Sequence, residues 1–168
     1  MDETQAKIAA WAAAEFGSSM PIRIAARAFN EVAELLAVYS APTLNRDALI
    51  EEAADIAIVL SRLDLILNDD EPQWDSLVTS GETQLTTEYL VGSVAQGIAD
   101  IIRLLIEQDR DGAALACESV LSDLADLVAW FGGDLPTAID AKMAVNRKRV
   151  WKRSADGHGF HTHEEAVA

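Results

Sequence analysis

The stretch NEVAELLAVYSAPTLNRDALIEEAADIAIVL (30–60) decides the architecture. Apolar residues recur in it every three or four positions, which collects them on one face of a helix, and strand-like alternation is weak. The periodicity breaks once, at Ala41-Pro42, because proline pushes the residue before it out of helical conformation. It restarts after Asn45, whose side chain suits the N-cap of a second helix. A helical hairpin is the expected local structure.

The same reading extends outward in both directions. A short helix is expected over 3–15, ended by Gly17, and a second over 21–40 with Pro21 in its first turn. The third covers 46–67. The polar, turn-rich segment NDDEPQWDSLVTSGETQ (68–84) reads as a linker or long loop. Helices over 85–108 and 112–131 follow. Gly132-Gly133 breaks the chain, and Asp134 caps a last helix over 135–153. The tail SADGHGFHTHEEAVA (154–168) reads as extended. The expected fold is an all-α bundle in a single domain.

Composition narrows the function classes. The 168 residues carry 13 Lys and Arg against 28 Asp and Glu, a net charge of −15 that disfavours non-specific binding to nucleic acids or anionic membranes. Half the chain is apolar, enough for a sizeable core. No apolar run approaches the roughly 20 residues of a spanning helix, and the N-terminus opens with acids where a secretory signal has bases. The lone Cys117 has no internal disulfide partner, which fits a reducing, cytoplasmic compartment.

Positive charge is concentrated. Six of the thirteen basic residues lie between Lys142 and Arg153: Lys142, Arg147, Lys148, Arg149, Lys152 and Arg153. Such a segment is either a solvated helix end that complements the helix dipole or a site for an anion such as a polyphosphate. Lys142, Asn146 and Arg149 follow i, i+4, i+7 spacing and share one helix face, which Arg153 continues.

The carboxylates are patterned too. Glu31 and Glu34 are three apart on one helix, Glu52 and Asp55 three apart on the next, and each pair shares a face. Apolar residues flank both. Four carboxylates converging between packed helices repel one another at low effective dielectric. Either they are solvated, or a divalent cation relieves the conflict, and an oxygen-only donor set favours Mg²⁺ or Mn²⁺ over zinc. A related pattern recurs in AQGIADIIRLL and ESVLSDLADLVAW. There Asp100 matches Glu34, Asp123 matches Glu52 and Asp126 matches Asp55, but Gly97 stands where Glu31 would be. An internally duplicated hairpin competes with chance similarity between Ala/Leu-rich helices.

Glu31-x-x-Glu34 followed by Glu52-x-x-Asp55, in the wording NEVAELL and EEAADIAIVL, resembles the signature of the MazG-like, all-α nucleoside triphosphate pyrophosphohydrolases. DLPTAIDAKMAVNRKRVW (134–151) with GHGFH (157–161), and Trp11 with Phe16-Gly17, are similar to segments of the phage-type dATP/dGTP pyrophosphohydrolases, the MazZ-like subgroup. The resemblance covers roughly 1–67 and 134–163. The intervening segment departs from the single-hairpin form and matches an inserted second hairpin, as in the two-repeat dUTPase-like relatives.

The resemblance implies metal-dependent hydrolysis of a purine deoxynucleoside triphosphate, dGTP or dATP, to the monophosphate and pyrophosphate, adjusting a dNTP pool in a phage context. Glu31, Glu34, Glu52 and Asp55 would hold two or three Mg²⁺ or Mn²⁺ ions. Lys142, Asn146 and Arg149 would grip the β- and γ-phosphates. Trp11 would stack on the base and Asn30 would read its edge, although Trp11 fits a core or interface position equally well. Trp74, Trp130 and Trp151 read as structural. The second hairpin (85–131) would be a degenerate scaffold, and the protein a homo-oligomer, dimer or tetramer. A pyrimidine (dUTP or dCTP) or housecleaning NTP pyrophosphohydrolase and a non-catalytic acidic helical adaptor are the alternatives. A di-iron bundle needs Glu-x-x-His motifs on its helices, and all three histidines lie beyond residue 157. The cluster His158, His161 and His163 is more consistent with a flexible end or a cover over the pocket than with a metal site.

Overall fold

A computed structural model describes residues 3–69, 85–153 and 159–161, the last three and 152–153 as backbone only. Among the described residues six helices follow in order: α1 (Gln5–Phe16), α2 (Pro21–Tyr39), α3 (Arg46–Leu67), α4 (Thr87–Ile106), α5 (Arg110–Trp130) and α6 (Leu135–Asn146). Two three-residue strands, β1 (Trp151–Arg153) and β2 (Gly159–His161), pair antiparallel with Trp151 opposite His161. The all-α bundle expected from periodicity is the fold, with a small ribbon added: β1 lies where the last helix was expected to continue and β2 in the stretch read as an extended tail. Residues 70–84, most of the expected linker and Trp74 with it, lie outside the described residues.

The helix starts follow from local chemistry. Thr4, Asn45, Thr86, Asp109 and Asp134 each accept a hydrogen bond from a first-turn amide at their helix N-terminus. Pro21 sits in the first turn of α2, where its missing N–H costs nothing. Gly17 ends α1 at φ +77°, a conformation most side chains avoid.

α2 packs on α3 and α4 on α5, and the two hairpins pack on each other through α3–α5 and α2–α4. α2 buries a single stripe, Ile24, Ala25, Ala28, Glu31, Val32 and Leu35. α3 is different. It is buried around most of its circumference, because α1, α2, α5 and α6 all lean on it. Its acids from Glu52 onward are buried or half-buried (Glu52, Asp55 and Asp64), whereas Asp47 and Glu51 near its start are exposed. α1 is fixed there by a polar clasp: Gln5 Nε2 donates to buried Asp64 Oδ2 at 2.5 Å, and Asn68 Nδ2 donates to Asp64 Oδ1 at 2.9 Å. Arg147 holds the N-terminal segment from the other side through Glu3, with contacts of 2.7 and 3.0 Å. That gives Arg147 a structural role.

Two expectations need correction. α6 stops at Asn146, well short of 153. The Asn146 carbonyl accepts the Trp151 indole N–H at 2.9 Å and the Arg149 amide at 3.2 Å, so the chain turns there and leaves the helix for β1. Arg153 consequently lies on a strand and does not extend a helical face. The second correction concerns α4, which has the length and mean hydropathy of a candidate membrane span, whereas no run of that kind was expected. Its Leu90, Val91, Val94, Ile98 and Ile101 are buried in the bundle.

Candidate functional site

Between α1, α2, α3 and the C-terminal end of α6 lies a cavity of about 350 Å³. It gathers the acids of the first hairpin. Oxygens of Glu31 from α2 and of Glu52 and Asp55 from α3 all lie within 4.8 Å of one another. Of the four acids expected to converge, these three do. Glu34 lines the same cavity one turn along from Glu31 but is exposed, and it stands outside the tight group.

Burial dominates the electrostatics of the cluster. It pushes the Glu31 carboxyl up to about 7; the Arg27 guanidinium pulls the other way, and Asp55, Glu34 and Glu52 add to the rise. Glu52 is raised by burial and then by Asp55 and Glu34, while Lys142 opposes the shift. Asp55 is raised by burial against the opposing hydrogen bond and charge of Lys142. Two of the three acids are ion-paired: Glu31 with Arg27 one turn earlier on α2, and Asp55 with Lys142 from α6, at 2.6 Å. The third is not fully satisfied. Glu52 Oε2 is buried and has no hydrogen-bond partner among the described residues. Such an atom ordinarily costs about 1–3 kcal/mol, more for a charged group.

Cations line the cavity in greater number than acids. Arg23, Arg27, Arg62, Lys142 and Arg149 face Glu31, Glu34, Glu52 and Asp55. In a chain of net charge −15, a cavity where cations outnumber acids is suited to an anion. Lys142, Asn146 and Arg149 come together as expected, though Arg149 does so from the turn after α6 and not from its face. Asn146 is buried, and its Oδ1 accepts from Arg149 Nη1 at 3.1 Å.

The apolar part of the wall combines aliphatic side chains, Ile24, Ile58 and Val59, with three aromatic ones. Trp11 and Phe16 of α1 meet Trp151 of β1 edge to face, with ring centroids 5.2–5.8 Å apart. Trp11 is in the cavity wall, as its proposed stacking role requires. Trp151, read as structural, is there too, because the end of α6 at Asn146 turns it inward. Asn30 is not: it is exposed on α2 and does not line the cavity. Trp130, also read as structural, is half exposed at the end of α5.

No family model, curated protein or solved structure matches this chain.

Arg23, Arg27 and Arg62 were not anticipated. A signal for them exists in the sequence. Arg23, Arg27, Glu31 and Glu34 fall at successive spacings of 4, 4 and 3 on α2, and Arg62 lies seven after Asp55 on α3, so all share the faces of the acids. Arg62 donates through Nη2 to the Gly17 carbonyl at 2.6 Å, tying the α1–α2 turn to the cavity wall.

The acids of the second hairpin are placed otherwise. Asp100 and Asp123 line an open groove between α4 and α5. Asp123 accepts from Ser93 Oγ at 2.6 Å, and Asp100 pairs with Arg103 on its own helix. At Gly97 a Cβ would collide with Val120 Cγ2, so α4 and α5 are in close contact at the position matched to Glu31.

Proposed function

We propose that the chain is a metal-dependent nucleoside triphosphate pyrophosphohydrolase of the MazG-like kind, acting on a purine deoxynucleoside triphosphate, dGTP or dATP, and adjusting a dNTP pool in a phage context. The observation that carries this reading is the joint placement, in one cavity, of three converging carboxylates, a set of cations and an aromatic wall. Triphosphate hydrolysis asks for little else: charge stabilisation, positioning and a proton acceptor.

The donor set fits a hard divalent cation. It is all oxygen, it converges, and it includes a buried carboxylate oxygen, Glu52 Oε2, without a partner among the described residues. Glu31, Glu52 and Asp55 would hold Mg²⁺ or Mn²⁺, two or three ions being the number the resemblance implies, with Glu34 at the exposed margin. Such ions, when bound, neutralise triphosphate oxygens and make a water more acidic. Lys142 and Arg149 bind phosphate oxygens as the α–β bridging bond is cleaved, and Asn146 holds Arg149 in position. A carboxylate of the cluster takes the proton from the attacking water. Trp11, Phe16 and Trp151 receive the base, and their flat apolar faces suit a purine. The second hairpin serves as scaffold, in a cytoplasmic homo-oligomer, dimer or tetramer.

The test is a panel of common NTPs and dNTPs with Mg²⁺, with Mn²⁺ and with a chelator, reading monophosphate and pyrophosphate. Pyrophosphate release from dGTP or dATP that stops with chelator is expected. Preference for dUTP or dCTP would replace the purine assignment, and no release from any nucleotide would leave the acidic adaptor as the better reading.

A further inference from the structure

Arg27 and Lys142 occupy positions that are awkward for simple phosphate binders. Each is engaged with an acid that a cation would need. Arg27 Nη2 pairs with Glu31 Oε1, and Lys142 Nζ lies 2.6 Å from Asp55 Oδ2 with both side chains largely enclosed, 12% and 19% exposed. The same two cations line the cavity in which a triphosphate would sit. Without metal, each one neutralises a triad acid and has its charge neutralised in return. A divalent ion that takes Glu31 and Asp55 breaks both pairs and leaves two cations facing the cavity.

We infer that Arg27 and Lys142 are exchangeable counter-ions, held by Glu31 and Asp55 in the metal-free protein and handed to the triphosphate when metal takes those carboxylates, so that metal and triphosphate bind with positive coupling. The inference rests on the proposed metal and phosphate site and adds an order to it. Either ligand alone must break ion pairs without a replacement partner. Together they satisfy every charge: metal with carboxylates, cations with phosphates. Because coupling is reciprocal, triphosphate must raise metal affinity by the same factor that metal raises triphosphate affinity. A site of this design would bind free Mg²⁺ weakly and leave metal-free nucleotide unbound, and would close its charge balance only around the complex of the two.

The expected effect is opposite in sign to that of ordinary ligand deletion. Arg27→Met and Lys142→Met, each measured as the full-length chain, should tighten binding of Mn²⁺ alone by about tenfold, read as loss of the free-ion signal in electron paramagnetic resonance. Arg149→Met removes the same charge from the same cavity but no pair with a triad acid, and should change it by no more than about threefold. Asp55→Asn should do the converse: it frees Lys142, so inorganic tripolyphosphate in chelator should bind about tenfold more tightly than to wild type by calorimetry. Lys142→Gln replaces Lys142→Met if the latter does not fold, judged by circular dichroism. Unchanged or weaker Mn²⁺ binding in both paired variants, or an equal gain in Arg149→Met, overturns the exchange. A wild-type chain that binds no Mn²⁺ even with dGTP present overturns the metal site itself, which is a different result.

Discussion

The two helical hairpins carry acids at comparable spacings, yet among the described residues three acids converge tightly only in the first. In α2–α3, Glu31, Glu52 and Asp55 converge inside a cavity, because α3 is covered on most sides and α6 brings Lys142 against Asp55. In α4–α5, Asp100 and Asp123 face an open groove, and the position matched to Glu31 is a glycine filled by Val120. Acidic spacing on a helix is thus not enough to make a site. What separates the hairpins is the third layer, α1 and α6, which packs on α3 and encloses its acids.

The sharpest way to break that contrast is a pair of matched substitutions. Glu52→Gln should lower pyrophosphate release at least about 1,000-fold, since a few kcal/mol of charge stabilisation disappears with it. Asp123→Asn, its counterpart, should change turnover less than about twofold. Equal losses would mean that both hairpins contribute chemistry.

A smaller effect, on pH, should follow from the buried acids of the first hairpin. Glu31, Glu52 and Asp55 bind protons more tightly in the folded chain than when unfolded, chiefly because burial disfavours their charge. The unfolded chain therefore ionises first as pH rises. Metal-free stability should fall between roughly pH 4.5 and 7, where Glu31 spans its ordinary and its raised value, and level off above. The loss should reach a few kcal/mol, because a tenfold change in proton affinity is worth about 1.4 kcal/mol. Chemical denaturation in chelator across this range checks it, and saturating Mn²⁺ should flatten or reverse the slope by competing with protons. Glu31→Gln should reduce the slope.

The smallest effect is structural. Gly97→Ala gains helix propensity worth up to about 1 kcal/mol but forces a methyl group into Val120, and overpacking costs about 1–3 kcal/mol. A net loss of about 1 kcal/mol in urea denaturation is expected. Gly92→Ala on the same helix, where a Cβ meets nothing, should be neutral or stabilising.

Much of this architecture was legible in the sequence because its signals are local. Asn45 and Asp134 cap their helices, Pro21 opens one and Gly17 closes another, each through a bond or dihedral set within four residues. The acids were legible for the same reason: three-residue spacing on an apolar stripe is a one-helix property. What escaped depends on contacts between elements. The end of α6 is set by the Trp151 indole reaching back to the Asn146 carbonyl, so continuing the helix placed Trp151 and Arg153 wrongly. Asn30 was expected to read the edge of a base stacked on Trp11, but it is one residue, about 100° around the helix, from Glu31, and it is exposed outside the cavity. The pairing of Lys142 with Asp55 joins residues far apart in the chain, and no spacing rule anticipates it.

The most direct test of the central claim is to locate the cation. Crystals grown with Mn²⁺ and a non-hydrolysable dGTP analogue, measured at a wavelength where manganese scatters anomalously, would show where the ions sit. The account predicts anomalous density among Glu31, Glu52 and Asp55, beside the phosphates, and none at Asp100 or Asp123. An empty first hairpin, or manganese bound in the groove between α4 and α5, would contradict it.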